Sequence, residues 1–242
     1  GEPRRLIAEV AIERQIAEGR TCMVLATCSY MLTGVVAALR GAGVPIHNPY
    51  RRTNGAWNPL GARRGVNTLE RALDYLRPDP ETWGNDARWW TDAELRRWLS
   101  MLRAEHITGA KKAAVEDGTA DRALDLVDDP MAVARHDLGW LAAGVTAQYA
   151  RPLEYMAAIR RARGGAVLRE TPRVVVGTVH SVKGGEADVC YLWPDLSMAA
   201  LRETVTRSGR DAMIRTLYVG MTRAREELVL CEAVDPRRAA WI

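Results

Sequence analysis

Residues 174–193 read VVVGTVHSVKGGEADVCYLW, two short apolar runs around a polar, glycine-bearing centre. Three consecutive valines favour a strand, because branching at Cβ suits an extended backbone. The second run, VCYLW, is also of strand length, and neither run alternates polar with apolar residues. That pattern belongs to strands buried on both faces of a parallel sheet. Between the runs stand Thr178, His180, Ser181, Lys183, Gly184, Gly185 and Glu186. Ligands of open parallel sheets bind beyond the carboxyl ends of the strands, so the whole of 178–186 is expected at that edge. The paired glycines permit close backbone approach to a ligand, and the Glu186 carboxylate suits ribose hydroxyls. An ordinary polar turn is the alternative reading.

Upstream, PRRLIAEVAIERQIAE at 3–18 spaces Leu6, Ile7, Val10 and Ile16 at roughly helical intervals, with Gly19 as a stop. TCMVLAT, the helical MLTGVVAALRGAG and strand-like VPIH follow, a strand–helix–strand unit of a parallel sheet. Turn formers crowd 48–65, so regular structure is expected to lapse there. From 66 to about 170 the pattern is helical, with Thr91 or Asp92 as an N-cap and Pro152 in the first turn of a helix. Trp83, Trp89, Trp90, Trp98 and Trp140 fall in this stretch and Trp57 just ahead of it; at helical spacing they are expected to fill a core. The expected fold is therefore an α/β domain from 1–65 and 171–242, interrupted by an all-helical subdomain at 66–170.

In the run from Arg210 to Arg225, Met213, Leu217, Gly220 and Met221 share one helical face, which would pack on the sheet. Arg223 would then stand at the same edge as 178–186, where a fixed guanidinium neutralises phosphoryl charge. Alternatively, Arg223 and Arg225 pair with Glu226 and Glu227 on the surface. No P-loop occurs, because Gly184 rather than Ser or Thr follows Lys183.

Composition narrows the classes. No eighteen-residue apolar run occurs, and the first residues lack the pattern of a secretory signal, so a soluble, cytoplasmic protein without a membrane partner is expected. Cys22, Cys28, Cys190 and Cys231 form no C-x-x-C pair and have no histidine at ligand spacing, so reduced, mostly buried thiols and no metal are expected. His47, His106 and His136 are isolated in sequence. The net charge of +4 permits phosphate contacts without requiring a polyanion.

GTVHSVKGGEADVCYLW and LYVGMTRAREELVL together resemble motifs V and VI of the UvrD, Rep and PcrA family of superfamily 1 DNA helicases. The resemblance implies a second RecA-like domain, with 66–170 in the place of the family's helical accessory subdomain. It implies that Arg223 is a catalytic arginine finger, that Glu186 and Gly184 contact ATP, and that Thr178, His180, Ser181 and Lys183 bind single-stranded DNA or couple it to ATP. Mg2+ and the rest of the nucleotide site would come from an upstream RecA-like domain, since Walker A and B are missing; DNA junctions are a further expected partner. This chain alone is then expected to be inactive as an ATPase. Ala26 and Thr27 stand where this alignment expects a Tyr-Arg pair, with Tyr30, Arg51 or Arg52 as nearby substitutes. A non-catalytic DNA- or protein-binding module derived from a helicase fold is the alternative, and an unrelated α/β phosphotransferase is disfavoured by the missing P-loop.

Overall fold

The computed structural model describes residues 2–61, 67–76, 90–109, 123–233 and 237, with backbone only at 2–9, 92, 123 and 124. Trp83 and Trp89 lie outside the described residues, as do the side chains of Leu6 and Ile7. The chain divides into two compact units, Gly1–Pro59 with Arg169–Ile242, and Leu60–Leu168.

The first unit holds α1 (Glu2–Ala17), β1 (Cys22–Ala26), α2 (Thr33–Gly41), β2 (Ile46–His47), β3 (Val174–Thr178) and β4 (Ala187–Leu192). Two further helices, here numbered α8 (Met198–Glu203) and α9 (Arg207–Met221), lead to β5 (Ala224–Leu230). The five strands form one parallel sheet in the order β2-β3-β1-β4-β5. The α/β expectation holds, and the arrangement is consistent with a RecA-like fold. β1 and β2, consecutive in sequence, are separated by β3, so the strand returning after the insert fills the gap between them.

β1 is fully buried, and its side chains alternate between two cores. Cys22, Val24 and Ala26 join Ile12, Val36, Leu39 and Trp57 on one face. Met23 and Leu25 join Val179, Val182, Leu192 and Leu217 on the other. This two-sided burial is why the strand is apolar throughout. Among the described side chains of α1, Ile12 is buried and Ile16 packs against the same core, while Val10 is 57% exposed, which corrects the place given to Val10 in the periodicity. Gly19 ends the segment in the left-handed region (φ 81°), which a glycine enters without a Cβ clash. Burial pushes the Cys22, Cys190 and Cys231 thiols up to about 12, so they stay protonated.

The second unit contains α3 (Thr68–Tyr75), α4 (Asp92–Leu99), α5 (Pro130–Ala134), α6 (Leu138–Gly144) and α7 (Ala147–Arg163). Thr91 and Glu94 form a reciprocal capping box at α4, satisfying otherwise orphaned N–H groups. Asn67, Asp129 and Asp137 cap three more helices through their side chains. Tyr75, Trp98, Met101, Leu141, Leu153 and Met156 lie in one core; the Tyr75 and Trp98 rings meet edge to face at 5.2 Å. Trp90 is buried there too, its indole N–H donating to the Asp74 carbonyl at 2.8 Å.

Two expectations need correction here. Pro152 lies inside α7 rather than in its first turn, because the helix begins five residues earlier at Ala147. The proline costs one backbone hydrogen bond, and burial of Leu153, Met156 and Ile159 carries the helix through. The unit is not purely helical either: among the described residues, isolated antiparallel bridges join Leu102 to Val145 and Ile107 to Val127. His106, though isolated in sequence, has Nδ1 2.8 Å from Asp128 Oδ2, a structural pairing.

Candidate functional site

The register of the sheet fixes where the candidate residues stand. Thr178 pairs with Ala26 at the carboxyl end of β1, whereas Ala187 pairs with Ala224 at the amino ends of β4 and β5. Residues 179–186 must therefore return the full height of the sheet between two parallel strands, β3 and β4, that β1 separates. The segment does not sit at one edge, as the carboxyl-end rule predicted. Thr178 lies at the carboxyl edge, and Glu186 lies at the amino edge. Arg223 is at the amino edge too, because its carbonyl accepts from the Ala187 N–H at 3.0 Å.

At the carboxyl edge, the expected loop is a short 3-10 turn, Val179–Val182, capped by Thr178, whose Oγ1 accepts from the Ser181 N–H. Ser181 is buried, and its hydroxyl donates to the Thr178 carbonyl at 2.8 Å while lying 3.3 Å from Asn48 Nδ2. His180 and Lys183 face solvent. Asn48, fully buried, also donates to the Val176 carbonyl at 2.8 Å and accepts from the Tyr50 N–H at 3.0 Å. A Cβ on Gly177 would collide with Ser181 Oγ and Asn48 Nδ2, so this close approach requires glycine at 177.

Gly184 turns the chain with φ 82°, and Gly185 donates to the Val182 carbonyl at 2.9 Å. Glu186 follows, about half exposed, opposite Arg225 at 3.4 Å. Arg225 also reaches Asp188 at 3.7 Å, while Glu226 and Glu227 pair with Arg20 at 2.9 and 3.0 Å. The surface pairing of Arg223 and Arg225 with Glu226 and Glu227 is thus replaced by partners from other segments. β5 begins at Ala224, three residues before the ELVL run at 227–230, and this carries Arg225 onto the strand beside Glu186.

Arg223 is half-buried and braced by backbone and hydroxyl. Nε donates to the Val219 carbonyl at 2.9 Å, Nη1 to the Gly185 carbonyl at 3.1 Å, and Nη2 to Thr222 Oγ1 at 3.1 Å. A guanidinium has five N–H donors, so N–H groups remain on both Nη atoms for a bidentate anion. Among the described residues no carboxylate forms an ion pair with it; its charge is held in place by neutral acceptors. The α9 residues behind it behave as the sequence implied: Leu217 and Gly220 are buried, and a Cβ on Gly220 would press on Val179 and Leu192.

Ala26 is fully buried in the sheet, and the Thr27 hydroxyl donates to the Asp195 carbonyl, so both serve the fold. Of the aromatic and basic residues nearby, it is Tyr50, unremarked in the sequence, that reaches the 183–186 segment: a Cβ on Gly185 would overlap its ring. Asn48 was missed as well. The Asn48-Pro49 pair signalled a turn, but nothing local announces that the Asn48 amide reaches Val176 and Ser181.

A parallel α/β domain that presents an arginine and a carboxylate at one sheet edge and a capped polar turn at the other is the class defined so far. Residues 173–231, from just before β3 to just after β5, match the family described as the UvrD-like helicase C-terminal domain. The match supports a UvrD-type helicase C-terminal region over this stretch. No curated protein matches the chain. No described helix is long and apolar enough to cross a membrane.

Proposed function

We propose that this chain is the carboxyl-terminal half of an ATP-dependent DNA helicase or translocase, contributing one wall of an ATP site completed by an upstream RecA-like domain. The observation that carries the reading is the bracing of Arg223 beside Glu186 at one edge of the sheet, within the stretch matched by the helicase family.

Arg223 would meet the γ-phosphate as an arginine finger, its residual N–H groups stabilising charge on the transferring phosphoryl oxygens. Its position is set before ATP arrives, so little reorganisation is needed at the reaction step. Glu186 would accept from ribose hydroxyls, displacing Arg225. That exchange costs little, because both side chains are about half exposed and such pairs contribute roughly 0–1 kcal/mol. Gly184 supplies the turn that sets Glu186. Mg2+ ligands, like the P-loop lysine, would come from the upstream domain in this reading.

At the opposite edge, Thr178, His180 and Lys183 would follow the phosphates of single-stranded DNA, with Ser181 holding the turn that presents them. The unit at 60–168 would take the place of the family's accessory subdomain and engage DNA or DNA junctions. ATP binding would close the two RecA-like domains on each other and hydrolysis reopen them, advancing the strand. The test is ATP turnover by the full-length protein with and without single-stranded DNA. DNA-stimulated turnover is expected; binding of DNA without any turnover would leave a non-catalytic binding module.

A further inference from the structure

We propose that Tyr50 is a positioning residue for Arg223, acting through Gly185. This rests on the functional reading above. Tyr50 belongs to the loop after β2, far in sequence from both partners, and its backbone is fixed by the N–H bond to Asn48 Oδ1. Asn48 is anchored in turn on Val176 and Ser181, so the loop is fastened to the same segment that carries Gly185. From this anchor the Tyr50 ring reaches Gly185 so closely that its Cζ, Cε2 and hydroxyl oxygen occupy the space of a Cβ there.

Gly185 offers its carbonyl to Arg223 Nη1 at 3.1 Å. The ring therefore limits how far the Gly185 peptide can retreat, and the peptide in turn limits where the guanidinium can stand. Gly184 cannot perform this restraint, since it has open space around it and needs glycine only for its positive φ. Gly185 needs glycine for a different reason, the ring itself. Tyr50 is 45% exposed, more than a purely packing role requires, and Arg51 and Arg52 beside it are exposed as well. The strut thus ends on a solvent-facing basic loop.

A misplaced catalytic group about 1 Å from its productive position costs up to about 100-fold in rate. Tyr50→Ala in the full-length protein is expected to lower kcat for DNA-stimulated ATP hydrolysis by about 10- to 100-fold, with little change in KM for ATP. Tyr50→Phe, which keeps the ring, is expected to retain most of kcat. Gly185→Ala supplies an independent arm that leaves Tyr50 present: its Cβ displaces the ring and is expected to lower kcat in the native background. In the Tyr50→Ala background the three atoms nearest that Cβ are gone, so Gly185→Ala should cost little more there. Equal losses from Gly185→Ala in both backgrounds, or native kcat in Tyr50→Ala, would overturn the inference while leaving the helicase reading intact. Absence of turnover in the unsubstituted protein would instead overturn the reading on which it rests.

Discussion

Replacing Asn48 probes the joint between β2 and the 178–182 turn. The residue is fully buried, and its side chain satisfies two backbone groups, the Val176 carbonyl at 2.8 Å and the Tyr50 N–H at 3.0 Å, besides its contact with Ser181. Asn48→Ala orphans both. An unsatisfied buried group costs about 1–3 kcal/mol, so a total of about 3 kcal/mol is reasonable, given that Tyr50 can gain water. For a domain of this size 1 kcal/mol moves Tm by about 2–4 °C, so a fall of about 6–12 °C is expected in thermal unfolding followed by circular dichroism. Asn48→Asp separates the two bonds: it keeps the acceptor for Tyr50 but turns a carboxylate toward the Val176 carbonyl. Burial and that carbonyl disfavour its charged form, so its folded pKa is raised and its penalty at neutral pH should shrink as pH falls toward that value. A loss below about 1 kcal/mol for Asn48→Ala, or an Asp variant whose deficit relative to native does not narrow in mild acid, would refute the reasoning.

Two further outcomes follow from the packing. Asp188 accepts from the Thr21 N–H and hydroxyl at 2.8 Å each, and these bonds hold its carboxyl below the ordinary value. Its stabilisation is complete above the unfolded carboxylate pKa of about 4 and is lost as pH falls through the folded value, so Asp188→Ala should cost about 1–3 kcal/mol at pH 7 and progressively less in acid. Urea titrations at several pH values would show the gap closing, and a gap independent of pH would contradict the assignment. Thr91→Ala removes the capping box of α4 and should destabilise the 60–168 unit by about 1 kcal/mol, read as a lower urea midpoint of tryptophan fluorescence; an unchanged midpoint would count against the cap.

Much of the architecture was legible because buried parallel strands are written locally. CMVLA, VVVGT and ADVCYL are each apolar on both faces, and each is a strand. The interruption by a helical stretch was readable from periodicity and caps, Thr91 above all. Where the reading slipped, tertiary burial had overridden local signals. Ile12 rather than Val10 faces the core, and Pro152 is carried inside α7 by its buried neighbours. Strand order was not legible, since β3 enters between β1 and β2 after more than a hundred intervening residues. The edge at which Arg223 and Glu186 meet also depends on register, which reverses the expectation from the carboxyl-end rule. Tyr50 and Asn48 escaped notice because their partners, Gly185 and Ser181, are remote in the chain and the turn-forming stretch around them looks like any other.

The most direct measurement of the central claim is the rate of ATP hydrolysis by the full-length protein and by its Arg223→Ala variant, with single-stranded DNA saturating and ATP binding followed separately. Arginine fingers contribute about 10³–10⁵ in rate where they have been assessed, so a loss of at least about 10³ in kcat with ATP still bound is the predicted result. Turnover in the variant within a few fold of native would contradict the account.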